Sequence, residues 1–135
     1  MIDCLIVGDS IAVGTSTYKK DCVSLSKGGI NSWQWNKVYI EQPFIKDADY
    51  NKVIISLGSN DHSGVNTLKE LQKLRAIIKT KKVYWIMPAI KPDIQGIVLS
   101  IASLNGDGII YIKDVSHDKI HPSSNGYRQI ASEIQ

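Results

Sequence analysis

Ile2-Asp3-Cys4-Leu5-Ile6-Val7-Gly8-Asp9-Ser10-Ile11-Ala12-Val13-Gly14 is the stretch from which the fold can be read. Its first half is short and apolar at odd and even positions alike. A half-buried strand would alternate; a run apolar on both faces belongs in a parallel sheet covered by helices on each side. The run stops at Gly8, and the polar pair Asp9-Ser10 precedes a second apolar segment. A strand-to-helix junction therefore falls on Ser10.

The same pattern recurs along the chain. Further β-like runs are expected at Cys22–Leu25, Lys52–Leu57, Lys82–Met87 and Gly108–Val115. Between them, Ser32–Gln42 carries Trp35, Val38 and Tyr39 at helical spacing. Val65–Thr80 places Leu68, Leu71, Leu74 and Ile78 along one stripe, with Thr67 and Glu70 as a capping box. Asp93 is the expected cap of a helix bearing Ile97, Val98, Ile101 and Leu104. Ser123 or Ser124 caps a last helix that turns Tyr127, Ile130, Ala131 and Ile134 inward. Strand–helix alternation over the whole length predicts one domain, residues 1–135. Its expected architecture is a three-layer α/β/α sandwich around a five-stranded parallel sheet of flavodoxin-like order 2-1-3-4-5. Such sheets bind ligands at the carboxyl ends of their strands, beside the point where the strand order reverses.

Bulk properties narrow the function classes. Sixteen basic against thirteen acidic residues leave a net charge of +3, and the basic residues are scattered. Lys79, Lys81 and Lys82 fall together at an expected helix end, where cations suit the dipole. This charge pattern does not predict nucleic-acid binding. The apolar start is too short for a membrane span or an export signal, so a cytoplasmic protein, or one delivered within a larger assembly, is expected. Cys4 and Cys22 sit in apolar stretches and read as buried free thiols. No spacing of metal ligands is present.

Chemistry-bearing residues follow the strands. Ser10 follows the first, where a helix-terminal N–H can donate to an oxyanion; a capping role is the structural alternative. Ser26-Lys27-Gly28-Gly29-Ile30-Asn31-Ser32 follows the second, and a Gly pair lets backbone approach a ligand. Leu57-Gly58-Ser59-Asn60-Asp61-His62 follows the third, bringing the Asn60 amide to the sheet edge. Asp118-Lys119-Ile120-His121-Pro122 lies in the loop after the fifth. There a carboxylate three residues before an imidazole can hold its Nδ1–H and leave Nε2 to accept a proton. His62 and His117 read as solvated loop residues. Nucleophile, oxyanion donors, base and orienter thus meet at one edge of the sheet.

In this order the segments resemble the signature blocks of the SGNH (GDSL-type) hydrolases. Gly8-Asp9-Ser10, Gly29 (or Gly28), Gly58-Ser59-Asn60-Asp61 and Asp118-x-x-His121-Pro122 match them, and Gly126-Tyr127 follows as in the family. Ile11 replaces the Leu of the name motif, and the middle block lacks a clean Ser-Gly-x-Thr. The resemblance runs from the first strand to the last helix. It implies a serine esterase with Ser10 as nucleophile, His121 as base and Asp118 as its partner. The N–H groups of Ser10 and Gly29, with the Asn60 side chain, would form the oxyanion hole, and neither metal nor cofactor is needed. A compact chain with Trp33 or Trp35 after the Gly loop favours a small acyl group, such as acetyl, on a carbohydrate. A lysophospholipase or thioesterase, and a non-catalytic binding module retaining the fold, are the alternatives. A flavodoxin-like nucleotide binder is disfavoured, because the first loop has no phosphate cradle.

Overall fold

In a computed structural model, which describes residues 2–46 and 49–135, the strands are β1 (Ile2–Gly8), β2 (Val23–Ser26), β3 (Tyr50–Ser56), β4 (Lys82–Met87) and β5 (Gly108–Tyr111). The helices are α1 (Ser10–Tyr18), α2 (Ser32–Tyr39), α3 (Pro43–Lys46), α4 (Thr67–Ile77), α5 (Pro92–Asn105) and α6 (Ser124–Glu133). All strand pairs are parallel and the order is β2-β1-β3-β4-β5.

The side-chain period of two explains why the strands are continuously apolar. Leu5, Val7, Val53, Ile55, Val83 and Trp85 pack on one face, against α2, α4 and α5 through Trp35, Leu71, Leu74, Val98 and Ile101. Cys4, Ile6, Ile54, Ile86 and Ile110 pack on the other, against α1 and α6 through Ile11, Ala12, Ile130 and Ile134. Each face needs its own helical layer, so the chain crosses from one to the other. At the far end of α4 the buried Asp107 carboxylate takes both Arg75 Nε and Nη2, at 2.8 and 2.9 Å, and the Trp85 indole N–H at 2.9 Å.

Several local expectations are corrected. Cys4 and Cys22 are not free thiols but a disulfide. The parallel register sets Leu5 beside Val23, and this brings the preceding residues 4.5 Å apart at Cα. Helix α4 is capped by Asn66, whose side chain accepts from Lys69 N–H; Thr67 instead gives its hydroxyl to Asp61. Helix α5 starts at Pro92 after Lys91, which has φ 68°, and Asp93 makes no cap. The Lys79, Lys81 and Lys82 group lies beyond α4, and Lys82 opens β4. Leu68, Val38 and Leu104 face solvent, and β5 ends at Tyr111 rather than Val115. The segment expected as one helix over Ser32–Gln42 ends at Tyr39, and α3 follows it. Ser123 is the cap of α6. The capping and boundary mismatches sit at element ends, where a tertiary hydrogen bond or a Pro competes with local preference.

The disulfide closes a loop of sequence separation 18, which by loop-closure entropy corresponds to roughly 3 kcal/mol. Cys4→Ala/Cys22→Ala, or the wild type held under reductant, is expected to unfold at lower urea concentration by that amount. Denaturation followed by tryptophan fluorescence, with and without reductant, measures it. Equal midpoints, or two titratable thiols in the native protein, would contradict the bond.

Candidate active site

The loops after β1, β2, β3 and β5 meet at the carboxyl edge where the strand order reverses. Ser10 is the first residue of α1, but Asp9 and not Ser10 is its cap, accepting Ile11 N–H at 3.0 Å. Ser10 Oγ is therefore free of a capping duty and lies 2.7 Å from His121 Nε2.

His121 is presented by a loop closed on itself. Val115 and Pro122 form an antiparallel bridge, and Ser116 N–H donates to His121 O at 2.8 Å. Within the loop, Asp118 Oδ1 accepts the N–H groups of Ile120 and His121, each at 2.9 Å, and the Ser116 hydroxyl at 3.0 Å. Its Oδ2 lies 2.5 Å from His121 Nδ1. The His121 and Ile120 backbone N–H bonds, then the bond to the His121 ring, hold the Asp118 carboxyl well below the usual carboxylate range. Asp118 thus stays an acceptor facing Nδ1–H, which leaves Nε2 as the acceptor toward Ser10.

Helix α1 begins at Ser10, and α6, which follows His121, packs on it. A Cβ at Gly14 would lie 2.3 Å from the Tyr127 ring, so a glycine is required for that ring to lie on α1. Tyr127 also stacks on Tyr18, with centroids 6.0 Å apart. The Gly-Tyr pair noted after His121 is thereby a packing device.

Asn60 donates through Nδ2 to Ile30 O at 3.0 Å, leaving its second amide hydrogen without a partner among the described residues. The glycine turn adjoins the serine: a Cβ on Gly28 would lie 3.9 Å from Ser10 Cβ, whereas one on Gly29 would meet open space. His62 and His117 are exposed and stand outside this line.

Two residues carry more of the site than their sequence context suggests. Asp61 is buried, accepting Ser32 N–H at 2.8 Å, the Ser32 hydroxyl at 2.6 Å and the Thr67 hydroxyl at 2.7 Å. It ties the loop after β2 to the loop after β3. Lys91 Nζ donates to Ser59 O and Asp61 O at 2.8 and 2.7 Å, clamping the backbone on either side of Asn60. Hydroxyls at two helix starts were a faint signal for Asp61. Lys91 had none, because its partners lie some thirty residues away in sequence.

No protein-family model matches the sequence, and no curated protein matches it. Solved structures do. A GDSL-like lipase from Bacteroides thetaiotaomicron superposes with a TM-score of 0.72 at 18% identity, over 98% of this chain and 85% of that one. The fold is that of the SGNH (GDSL-type) hydrolases. A lipase/acylhydrolase from Enterococcus faecalis superposes at 0.74 with 14% identity, over 96% and 92% of the two chains. An acetyl xylan esterase from the rumen bacterium Butyrivibrio proteoclasticus does so at 0.62 with 13% identity, over 98% and 61%. This SGNH fold places the four loops together without any sequence likeness detectable by a family model.

Asp9 gives this site a pH-dependent stability. It is fully buried; Oδ1 is satisfied by Ile11 and Ser56, whereas Oδ2 has no partner among the described residues. Burial pushes its carboxyl up to about 6 from 3.8. The folded state therefore holds the proton more tightly than the unfolded one. The resulting stabilisation is complete below about pH 4 and lost as pH rises through about 6. Asp9→Asn keeps the capping oxygen and cannot ionise. Its stability relative to wild type is expected to rise by roughly 3 kcal/mol between pH 4 and pH 7. Urea denaturation of both proteins at the two pH values measures this, and a difference independent of pH would contradict it.

Proposed function

We propose that the protein is a serine esterase that cleaves carboxylic esters through an acyl-enzyme. The observation that carries this reading is the continuous line from Ser10 Oγ through His121 to the Asp118 carboxylate, at 2.7 and 2.5 Å. In the proposed reaction Ser10 Oγ attacks the ester carbonyl and His121 Nε2 takes its proton. Asp118 holds the ring in the productive tautomer and offsets the charge of the imidazolium. The N–H groups of Ser10 and Gly29 and the second Asn60 amide hydrogen receive the oxyanion as it forms. Collapse expels the alcohol, which takes the proton from His121. Water, deprotonated by the same nitrogen, then attacks the acyl-Ser10 carbonyl; the bond from that carbon to Ser10 Oγ breaks, Oγ takes the proton back from His121, and the acid is released.

The favoured substrate is a small acyl group, such as acetyl, on a carbohydrate. Trp35 cannot stack on a sugar: it is fully buried and its indole N–H donates to Leu25 O at 2.9 Å. Trp33 is half exposed in the first turn of α2, the helix that follows the Gly29 loop. The structurally similar acetyl xylan esterase supports the same class at the level of fold. A disulfide also suits a compartment where thiols are not kept reduced. The lysophospholipase or thioesterase reading requires an apolar groove opening from Ser10. The cavity of about 520 Å3 containing Met87, Leu99, Ile112 and Val115 has neither Ser10 nor His121 in its lining.

A fluorophosphonate probe is expected to label Ser10 and to leave Ser10→Ala unmodified, as judged by peptide mapping; an unlabelled wild type would favour the non-catalytic module. With p-nitrophenyl acetate, His121→Ala should abolish turnover. His62→Ala and His117→Ala, outside proton-transfer reach, should keep about a tenth or more. Loss of activity in His62→Ala would assign the base elsewhere. Asn60→Ala is expected to lower kcat by about 10²–10³-fold, the range for one lost oxyanion donor. A rise in KM alone would make Asn60 a substrate contact instead.

A further inference from the structure

Beyond the catalytic line, the loops after β2 and β3 continue into the walls of a second cavity, of about 500 Å3. Asn31, Trp33 and Gln34 form one wall, and His62, Asn66 and Lys69 contribute to the other. The first wall starts one residue after Ile30, whose carbonyl holds Asn60; the second starts one residue after Asp61. The cavity is thus walled by the continuations of the two loops that carry Gly29 and Asn60, and Ser10 and His121 are not in its lining.

The chemistry of the lining is weighted toward donors. Asn31 Oδ1 accepts Gln34 N–H at 2.8 Å, and Gln34 Oε1 accepts Asn31 N–H at 2.9 Å. Asn66 Oδ1 accepts Lys69 N–H at 3.2 Å, and His62 Nδ1 accepts Gly64 N–H at 3.1 Å. In each residue the acceptor atom is consumed by backbone, and this also fixes the orientation of the group. The atoms left over are donors: three amide NH2 groups and, with Nδ1 accepting, the Nε2–H of neutral His62. They make no hydrogen bond among the described residues. Glu70 also lines the cavity; its Oε1 takes Asn36 Nδ2 at 2.9 Å, which leaves Oε2 as an acceptor among the donors. Beside these donors stands Trp33, 49% exposed, with the Lys37 ammonium 5.1 Å from its ring centroid.

We infer that this cavity is a saccharide-binding subsite for the alcohol portion of the ester, selective for sugar rings bearing acceptor-only groups. The indole provides an apolar plane for the ring, and the locked donors meet a carboxylate or an acetamido carbonyl. Donors already held in one orientation lose little entropy on binding, which raises affinity. The inference rests on the esterase reading for its place in the reaction, but the binding itself requires no turnover.

The test uses wild-type protein and three unacetylated-hydroxyl probes: N-acetylglucosamine trimer, galacturonate trimer and xylose trimer. Isothermal titration gives affinity, and acrylamide quenching reports on Trp33, because Trp35 and Trp85 are fully buried. Binding of either acceptor-bearing trimer, with protection of the quenchable emission, is expected; the arm that binds identifies acetamido or carboxylate. Xylose trimer is expected to bind at least about tenfold more weakly, and Trp33→Ala to lose about tenfold or more, equivalent to about 1.4 kcal/mol. Gln34→Glu and Asn66→Asp keep the capping oxygen and replace the donor by a charged acceptor, so each should weaken binding several-fold with the fold intact, most of all for the galacturonate trimer. Undetectable binding of both acceptor-bearing trimers overturns the subsite, as does unchanged affinity in Trp33→Ala or in both donor-deletion variants. Equal affinity for xylose trimer would overturn the selectivity. Saccharide binding without fluorophosphonate labelling of Ser10 would sink the esterase reading and keep the subsite; labelling without binding would do the reverse.

Discussion

At the carboxyl ends of β1 and β3 two backbones come closer than side chains allow. Asp9 N–H donates to Ser56 O at 2.9 Å, and a Cβ on Gly8 would stand 1.8 Å from that oxygen. Gly8, at φ 144°, is in a conformation open to glycine. This contact ends both strands side by side, so that Ser10 and the block from Gly58 to Asp61 leave the sheet as neighbours. The candidate site depends on it: the serine is held from one strand, and the amide of Asn60 is supplied from the next.

From that anchor the site is assembled by bonds that cross between loops. Asn60 holds Ile30 O, Asp61 holds Ser32, and Lys91 holds the carbonyls of Ser59 and Asp61. Three loops from three strands become one rigid unit. His121 comes from a fourth loop, folded around Asp118, and the helix that follows it rests Tyr127 on Gly14 of α1. Charge is distributed unequally across this unit. Asp118, at the surface, is kept ionised by backbone N–H groups, whereas Asp9, in the interior with one oxygen unpaired among the described residues, is pushed toward the neutral form. Two carboxylates near one serine thus differ because one is hydrogen-bonded and the other desolvated.

The proposed saccharide subsite follows from the same architecture. The loops that carry Gly29 and Asn60 extend outward, and the polar side chains of Asn31 and Asn66 cap α2 and α4 with their acceptor atoms. Capping leaves the complementary amide donors without a partner among the described residues. A structural duty at the helix ends therefore gives the cavity its hydrogen-bonding character.

By itself the sequence determined the layer architecture and the order of the sheet. Runs such as Cys4–Val7 and Val53–Ile55 are apolar on both faces, which is compatible only with a covered parallel sheet. It also determined which residues could carry chemistry, because Ser10, Gly29, Asn60, Asp118 and His121 all follow strands. Tertiary structure alone decided what depends on proximity between distant segments. The register of β1 against β2 joined Cys4 to Cys22, where composition had suggested free thiols. Burial separated Trp33 from Trp35, two residues apart on one helix. Asp61 drew the Thr67 hydroxyl away from the cap, which passed to Asn66, and Lys91 reached some thirty residues back to the β3 loop. Periodicity is a property of neighbours along the chain, and so it is legible there. A hydrogen bond or disulfide between loops depends on where the whole fold sets them, and no local pattern encodes that distance.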